Sequence, residues 1–322
     1  MNSKGKTAYS FPSGKFFLKF RTAIITGVGR SGKTTLGNVL ATHRYVEYYE
    51  EPWILNLLPA MVKLKMVNEE MGKDMFVTYL HELMNDMILL RQANFRPKDD
   101  SSIWTKKTRA EIALRLKSLQ SRSDVKNFVK KHDPLFLMIL REAPLFNLPA
   151  VFNFLPNCKI VHVVSRGMDV ANRIQEKKWL SDKNLAKPPH ARIYYPTTHQ
   201  GKIFYIPSWI APKDAKQFIS SSEFERALLY WCSLMEHIME SLKQLKNKKK
   251  NILTIKFEDF LENPPKIVKS VASFLDIQPS SITKTALGKV KKHQARNPIP
   301  KLSKELLART KKIDTYFGYG WN

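Results

Sequence analysis

The chain has 322 residues, of which 43% are hydrophobic and 11% aromatic, with 12 Gly and 18 Pro. That is enough apolar material to bury a core, which excludes disorder as the main state and permits either two domains or one large α/β domain. The 54 Lys and Arg against 28 Asp and Glu leave a formal net charge of +26, which favours an anionic partner without choosing among nucleotides, nucleic acid, acidic glycans and membrane surfaces. Only Cys158 and Cys232 occur, too few for a disulfide framework or a CxxC metal site. There is no apolar run of the length a spanning helix needs, about 18 residues. Residues 1–20 hold no uninterrupted hydrophobic stretch of the kind a secretory signal carries. The expectation is a reduced, cytoplasmic, basic protein with an N-terminal extension over residues 1–20.

In chain order, residues 22–26 form a β-branched run that stops at Gly27, and a helical pattern follows from Thr34. Residues 45–49 predict a second strand, ended by Glu50-Glu51-Pro52. From Leu55 to about Lys130 the pattern is helical and rich in Met and Leu, with a break at residues 96–100. Residues 135–140 and 159–164 predict the third and fourth strands. Residues 181–215 carry prolines, Tyr194, Tyr195, Phe204, Tyr205 and Trp209 without clear periodicity, which predicts a long loop or lid. Ser222-Glu223-Phe224-Glu225 is a capping box, opening a helix with apolar positions Ala227, Leu228, Trp231, Leu234, Met235, Ile238 and Leu242. Residues 251–257 predict a fifth strand and 265–275 another helix. Continuous apolar strands separated by helices mark a parallel sheet covered on both faces. The predicted fold is therefore α/β: a three-layer α/β/α domain over residues 21–322, with a central, mainly parallel sheet and a P-loop-type strand, loop and helix.

Gly27-Val28-Gly29-Arg30-Ser31-Gly32-Lys33-Thr34 fits GxxxxGK[ST] and sits between a strand and a helix, where that pattern has to sit. Its glycines let the backbone curl until successive N–H groups face an anion, and the helix N-terminus adds its positive dipole end. Lys33 and Arg30 add full charges, and Thr34 and Thr35 supply hydroxyl donors. A phosphorylated ligand is the expectation. A P-loop kinase also needs an acid for Mg²⁺, yet the strand at 159–164 runs into Ser165-Arg166. Glu51-Pro52-Trp53 resembles the base position of deoxynucleoside kinases, so an ATP-dependent kinase is one alternative. A non-catalytic anion- or nucleic-acid-binding protein is another, resting on charge alone.

Four segments together resemble sulfotransferases that use 3′-phosphoadenosine-5′-phosphosulfate (PAPS), and are closer to the glycan and bacterial type than to the phenol and steroid type. Residues 27–36 are similar to the family's PRSGTT-type 5′-phosphosulfate loop, with Gly29 in place of Pro and Lys33 in place of the first Thr. Residues 155–164 resemble its FPxAKxIHLV strand. Residues 165–173, Ser-Arg-Gly-Met-Asp-Val-Ala-Asn-Arg, resemble the RxxxDVAxS element that holds the 3′-phosphate. In that register Ser165 stands at the Arg position and Arg173 at the Ser position, a reciprocal exchange of cation and hydroxyl. Arg166 supplies the charge if the register shifts by one. The bland alternative is that Asp169 and Arg173 form a helix surface pair worth about 0.3–0.5 kcal/mol. Residues 252–277, with Lys256-Phe257-Glu258-Asp259-Phe260-Leu261 and Pro264, resemble the RYEDLxxxP…FLGI segment, whose role is mostly architectural.

The resemblance implies PAPS as sulfuryl donor, no metal, and a hydroxyl or amine acceptor on a glycan or small metabolite, with nucleic acid not the expected partner. It assigns Gly29, Arg30, Ser31, Gly32, Lys33, Thr34 and Thr35 to the 5′-phosphosulfate, Lys33 neutralising the leaving phosphate, and Ser165, Arg166 and Arg173 to the 3′-phosphate. Two carboxylates compete as general base: Glu51 after the second strand, which is preferred, and Glu142 after the third. Lys289, Lys291 and Lys292 fall near a third, poorly matched motif of the family. Trp179, Trp209, Tyr194 and Tyr205 either stack on an acceptor or pack the loop. His81, His132 and His162 lack metal-ligand spacing.

Overall fold

The strands are β1 (Arg21–Thr26), β2 (Val46–Glu50), β3 (Leu135–Ile139), β4 (Lys159–Val164), β5 (Tyr194–His199), β6 (Lys202–Pro207) and β7 (Ile252–Lys256). The computed structural model describes residues 20–191, 193–290 and 300–321. Residues 1–19 of the expected extension, and Lys291 and Lys292, lie outside them. Five strands form one wholly parallel sheet in the order β2-β3-β1-β4-β7. Ile24 of β1 stands opposite Met138 on one neighbour and Ile160 on the other.

Alternation along the strands sends side chains to two dry faces. Ala23, Ile25, Leu137, Ile139, Val161 and Val163 pack beneath the helices Lys33–Leu40 and Pro264–Leu275. Ile24, Phe136, Met138 and Ile160 pack on the other side, beneath the helices Trp53–Lys63 and Glu69–Ile88. Burial on both faces is why these strands read as unbroken apolar runs, and the three-layer α/β/α arrangement follows. The helical stretch expected from Leu55 to Lys130 is divided more often than its pattern suggests. Asn68, Thr108 and Ser121 each cap a helix N-terminus, and Ser121 with Asp124 closes a capping box.

A third apolar cluster gathers the helices Gly167–Glu176, Glu223–Gln244 and Lys304–Tyr316. The capping box Ser222–Glu225 opens the long helix as its sequence predicts. Trp231 is 1% exposed and lies so close to Gly167 that a Cβ there would meet its ring at 2.8 Å; glycine is what lets the two helices approach. The aperiodic stretch at 181–215 contains an antiparallel hairpin, β5 with β6, instead of an irregular loop. Its two-residue turn is Gln200 (φ 48°) and Gly201 (φ 74°), the doubly left-handed turn that matches strand twist. Prolines at both ends and aromatics on both faces hide the period-2 pattern.

Candidate active site

β1 sits at the centre of the sheet, with strands added on both of its sides, and ligands of open α/β sheets bind beyond the strand C-termini at such a point. There the loop after Thr26 turns into the Lys33–Leu40 helix. Thr26 Oγ1 donates to the carbonyl of Arg141 at 3.1 Å, tying this loop to the end of β3. Gly27 lies against the carbonyl of Val163 and Ser31 Oγ, leaving no room for a Cβ. Arg30 (φ 69°) and Gly32 (φ 91°) are left-handed, while Ser31 and Lys33 between and after them are not. Alternating signs of φ turn consecutive N–H groups to one side and make an anion-binding concavity. The helix that follows has no side-chain cap and no acid in its first turn, so its amides stay available to an anion.

The cleft in front of this loop has a volume of about 1420 Å³. Gly29, Arg30, Gly32, Lys33, Thr34, Thr35, Glu51, Glu142 and Arg173 all line it. Six cationic side chains, Arg30, Lys33, Arg141, Arg173, Lys187 and Lys289, face three acids, Glu51, Glu142 and Glu176, an excess suited to an anionic ligand. Lys33 is only 5% exposed and its ammonium meets no carboxylate within ion-pair distance among the described residues. A buried cation without a counter-ion is costly, and a bound phosphate removes that cost. Arg173 arrives from the helix after β4. Its guanidinium donates to the carbonyl of Arg30 at 2.7 Å and stands 5.5 Å from the ring of Phe257. That ring occupies the place a Cβ would take at Gly32.

Ser31, Ser165 and Arg166 do not line the cleft. Ser31 Oγ is buried beside Gly27 without a hydrogen-bond partner among the described residues. Ser165, 1% exposed, donates its hydroxyl to Glu258 Oε1 at 2.6 Å, because a buried hydroxyl beside a carboxylate has nowhere better to donate. The backbone N–H of Arg166 donates to the same oxygen at 3.2 Å, and its guanidinium lies over Tyr319, 5.4 Å from the ring centre. Of the two partners in the reciprocal exchange, only Arg173 faces the cleft.

The two candidate bases are held differently. Glu51 has left-handed backbone (φ 52°), and its Oε2 accepts from Arg141 Nε at 2.5 Å. Glu142 crowds the phosphate loop: a Cβ placed on Gly29 would collide with its Oε1 and with the ring of Trp179. Tyr194 and Tyr230 complete this wall; burial first, and then the charge of Glu142, pushes the Tyr194 phenol up to about 12 and Tyr230 well above its ordinary value. Tyr205 and Pro207 extend it from the hairpin. Trp209 is 4% exposed and packs in the third cluster, away from the cleft. The sequence does not mark Arg141 or Tyr230 as site residues, and the resemblance gives Phe257 and Glu258 an architectural role only. Tyr230 carries no local signal, being one more aromatic in a helical stripe.

The parallel sheet, the left-handed loop after β1 and the uncapped helix define an α/β protein that presents backbone amides at the C-terminal edge of its sheet. A family model, the sulfotransferase domain, matches residues 21–314. The chain belongs to that family, which sets the kinase alternative aside. No curated protein sequence matches it. Similar solved structures include the sulfotransferase domain from the curacin biosynthetic pathway, 12% identical, covering 95% of this chain and 100% of that one with a TM-score of 0.49. The sulfotransferase domain from the Synechococcus PCC 7002 olefin synthase is 11% identical over 94% of this chain and 96% of that one, with a TM-score of 0.46. Retinol dehydratase in complex with androsterone and inactive cofactor PAP is 15% identical over 94% and 83%, with a TM-score of 0.37. Among the described residues no helix is long and apolar enough to cross a membrane.

Proposed function

We propose that this cleft transfers a sulfuryl group from PAPS to a hydroxyl or amine of a glycan or small-metabolite acceptor. The observation that carries the reading is the uncapped helix N-terminus behind a left-handed loop, with Lys33 buried beside it. When bound, PAPS supplies the sulfuryl group together with a phosphate leaving group. The loop amides at residues 29–35, Lys33 and the hydroxyls of Thr34 and Thr35 hold the 5′-phosphosulfate, and Lys33 balances charge on the departing phosphate. Arg173 is the cation for the 3′-phosphate, since Ser165 and Arg166 are turned toward Glu258 and Tyr319.

Glu142 is the proposed base, in place of Glu51, which the sequence alone favours. β3 adjoins β1 whereas β2 lies one strand further out, so Glu142 reaches the phosphate loop directly while Glu51 spends one oxygen on Arg141. Glu142 takes the acceptor's proton as the new bond to sulfur forms. Trp179, Tyr194, Tyr205 and Tyr230 offer flat faces to the rest of the acceptor and displace water from it.

The test is calorimetric titration with adenosine 3′,5′-bisphosphate beside ATP with Mg²⁺. Binding of the bisphosphate without added metal, and indifference to ATP, is expected. Binding of ATP·Mg²⁺ alone would overturn the proposal. Binding of neither would leave an anion-binding surface without a nucleotide site.

A further inference from the structure

One carboxylate outside the cleft ties together the groups at the start of the helix that carries Arg173. Glu258 follows Phe257 directly, at the start of the short helix Phe257–Glu262 after β7. Its Oε1 accepts from the Ser165 hydroxyl at 2.6 Å and from the Arg166 N–H at 3.2 Å; its Oε2 accepts from the Tyr319 hydroxyl at 2.7 Å. Three donors thus converge on one acceptor-only group, two from the junction between β4 and the Gly167–Glu176 helix, and one from the C-terminal segment. That segment grips the same junction a second time, since the Gly167 N–H donates to Asp314 Oδ1 at 3.3 Å. On its other side, the Phe257 ring lies beneath the Arg173 guanidinium and fills the space left open at Gly32. The dipeptide therefore fixes where the helix begins and what its later arginine rests on.

Resting on the donor reading above, we infer that Glu258 is a positioning residue for recognition of the donor's 3′-phosphate: it latches the Ser165 and Arg166 junction to the C-terminal segment and so sets the stance of Arg173 over the phosphate loop. Arg173 stands six residues beyond Gly167, roughly 9 Å along the helix axis. A tilt at the first turn is carried to it, and its 2.7 Å bond to the Arg30 carbonyl leaves little tolerance. Glutamine at position 258 keeps the shape of the side chain but replaces one oxygen with an NH₂, which faces a donor instead of accepting from it.

The experiment compares dissociation constants for adenosine 3′,5′-bisphosphate and adenosine 5′-monophosphate in the full chain, Glu258→Gln and Tyr319→Phe. Wild type is expected to prefer the bisphosphate. Glu258→Gln should lose roughly tenfold on the bisphosphate, the scale of one charge-assisted hydrogen bond, and leave the monophosphate unchanged. Tyr319→Phe, a milder change at the far end of the latch, should lose preference in the same direction by less. A merely structural role would lower the melting temperature and leave the preference intact in both variants, and that result overturns the inference while the donor reading stands. A wild type with no preference for the bisphosphate overturns the donor reading, and this inference with it.

Discussion

Glu142 and Glu51 share one wall of the cleft, yet only one of them touches the phosphate loop. Removing a general base costs about 10²–10⁴ in rate. Glu142→Gln should therefore lower kcat on that scale with donor affinity unchanged, and Glu51→Gln should cost far less; steady-state kinetics with a sulfated-product readout decide, and the reverse order would return the role to Glu51. Arg173→Ala should weaken adenosine 3′,5′-bisphosphate by roughly 10–100-fold, as loss of a charge-assisted contact does, and spare adenosine 5′-monophosphate; calorimetry of both nucleotides checks this. Residues of the phosphate loop were legible in the sequence because their chemistry is local: glycines, a lysine and two threonines within one turn of chain. Ser165 was not, because its orientation is decided by Glu258, 93 positions away, and by Tyr319 beyond it. Exchange of an arginine for a serine in a motif says which groups are available, and only packing says which way they point.

Among the elements, the sheet announced itself through unbroken apolar runs, whereas the β5–β6 hairpin did not. Tyr194, Pro196, Tyr205 and Pro207 blur its alternation, and its strongest signal, Gln200 before Gly201, is weaker than Asn-Gly or Asp-Gly. The turn nevertheless depends on that glycine. A Cβ at Gly201 would meet nothing within 4 Å, so Gly201→Ala isolates the conformational cost of a left-handed residue, about 1 kcal/mol. A small drop in melting temperature is expected, with a raised KM for the acceptor and unaltered donor binding, because the residues the hairpin gives to the cleft, Tyr194, Tyr205 and Pro207, stand in the proposed acceptor wall. Gly167→Ala is a different case: the methyl meets the ring of Trp231 inside the core, so a larger loss of stability and of bisphosphate affinity should come together.

At the scale of the whole molecule, buried titratable groups shape the response to acid, two of them with opposite chemistry. His162 on β4 is 3% exposed, neither ring nitrogen has a hydrogen-bond partner among the described residues, and burial pulls its pKa down to about 4. The unfolded chain, with an ordinary imidazole near 6.5, takes up the proton first. Stability is thus complete above about 6.5 and falls as pH drops toward 4, by roughly 3 kcal/mol in all. Glu47 acts lower on the scale. Burial alone would raise its pKa, but Arg115, at 2.6 and 2.9 Å, and Lys107 bring it down to about 2. Its contribution is present above the ordinary carboxylate value and is lost as pH falls from about 4.5 toward 2. Thermal melts across this range should show two successive losses, and His162→Phe should reduce the upper one only, the remainder coming from groups such as His237, which burial also pulls down to about 4.

The pairing of β1 also governs when this molecule can exist. Arg21 stands opposite Leu135, and Ala23 opposite Lys159, so the central strand leaves the ribosome more than a hundred residues before either neighbour. Such distant pairings make folding slow, and here they leave an apolar strand without partners through much of synthesis, a state prone to aggregation. The segment bearing Asp314 and Tyr319 follows every strand of the sheet. A nascent chain still short of it can close its sheet and its phosphate loop, but the junction that steadies Arg173 stays unlatched until Asp314 and Tyr319 emerge. The contacts on which the proposed donor selectivity rests therefore form only after the sheet has been synthesised.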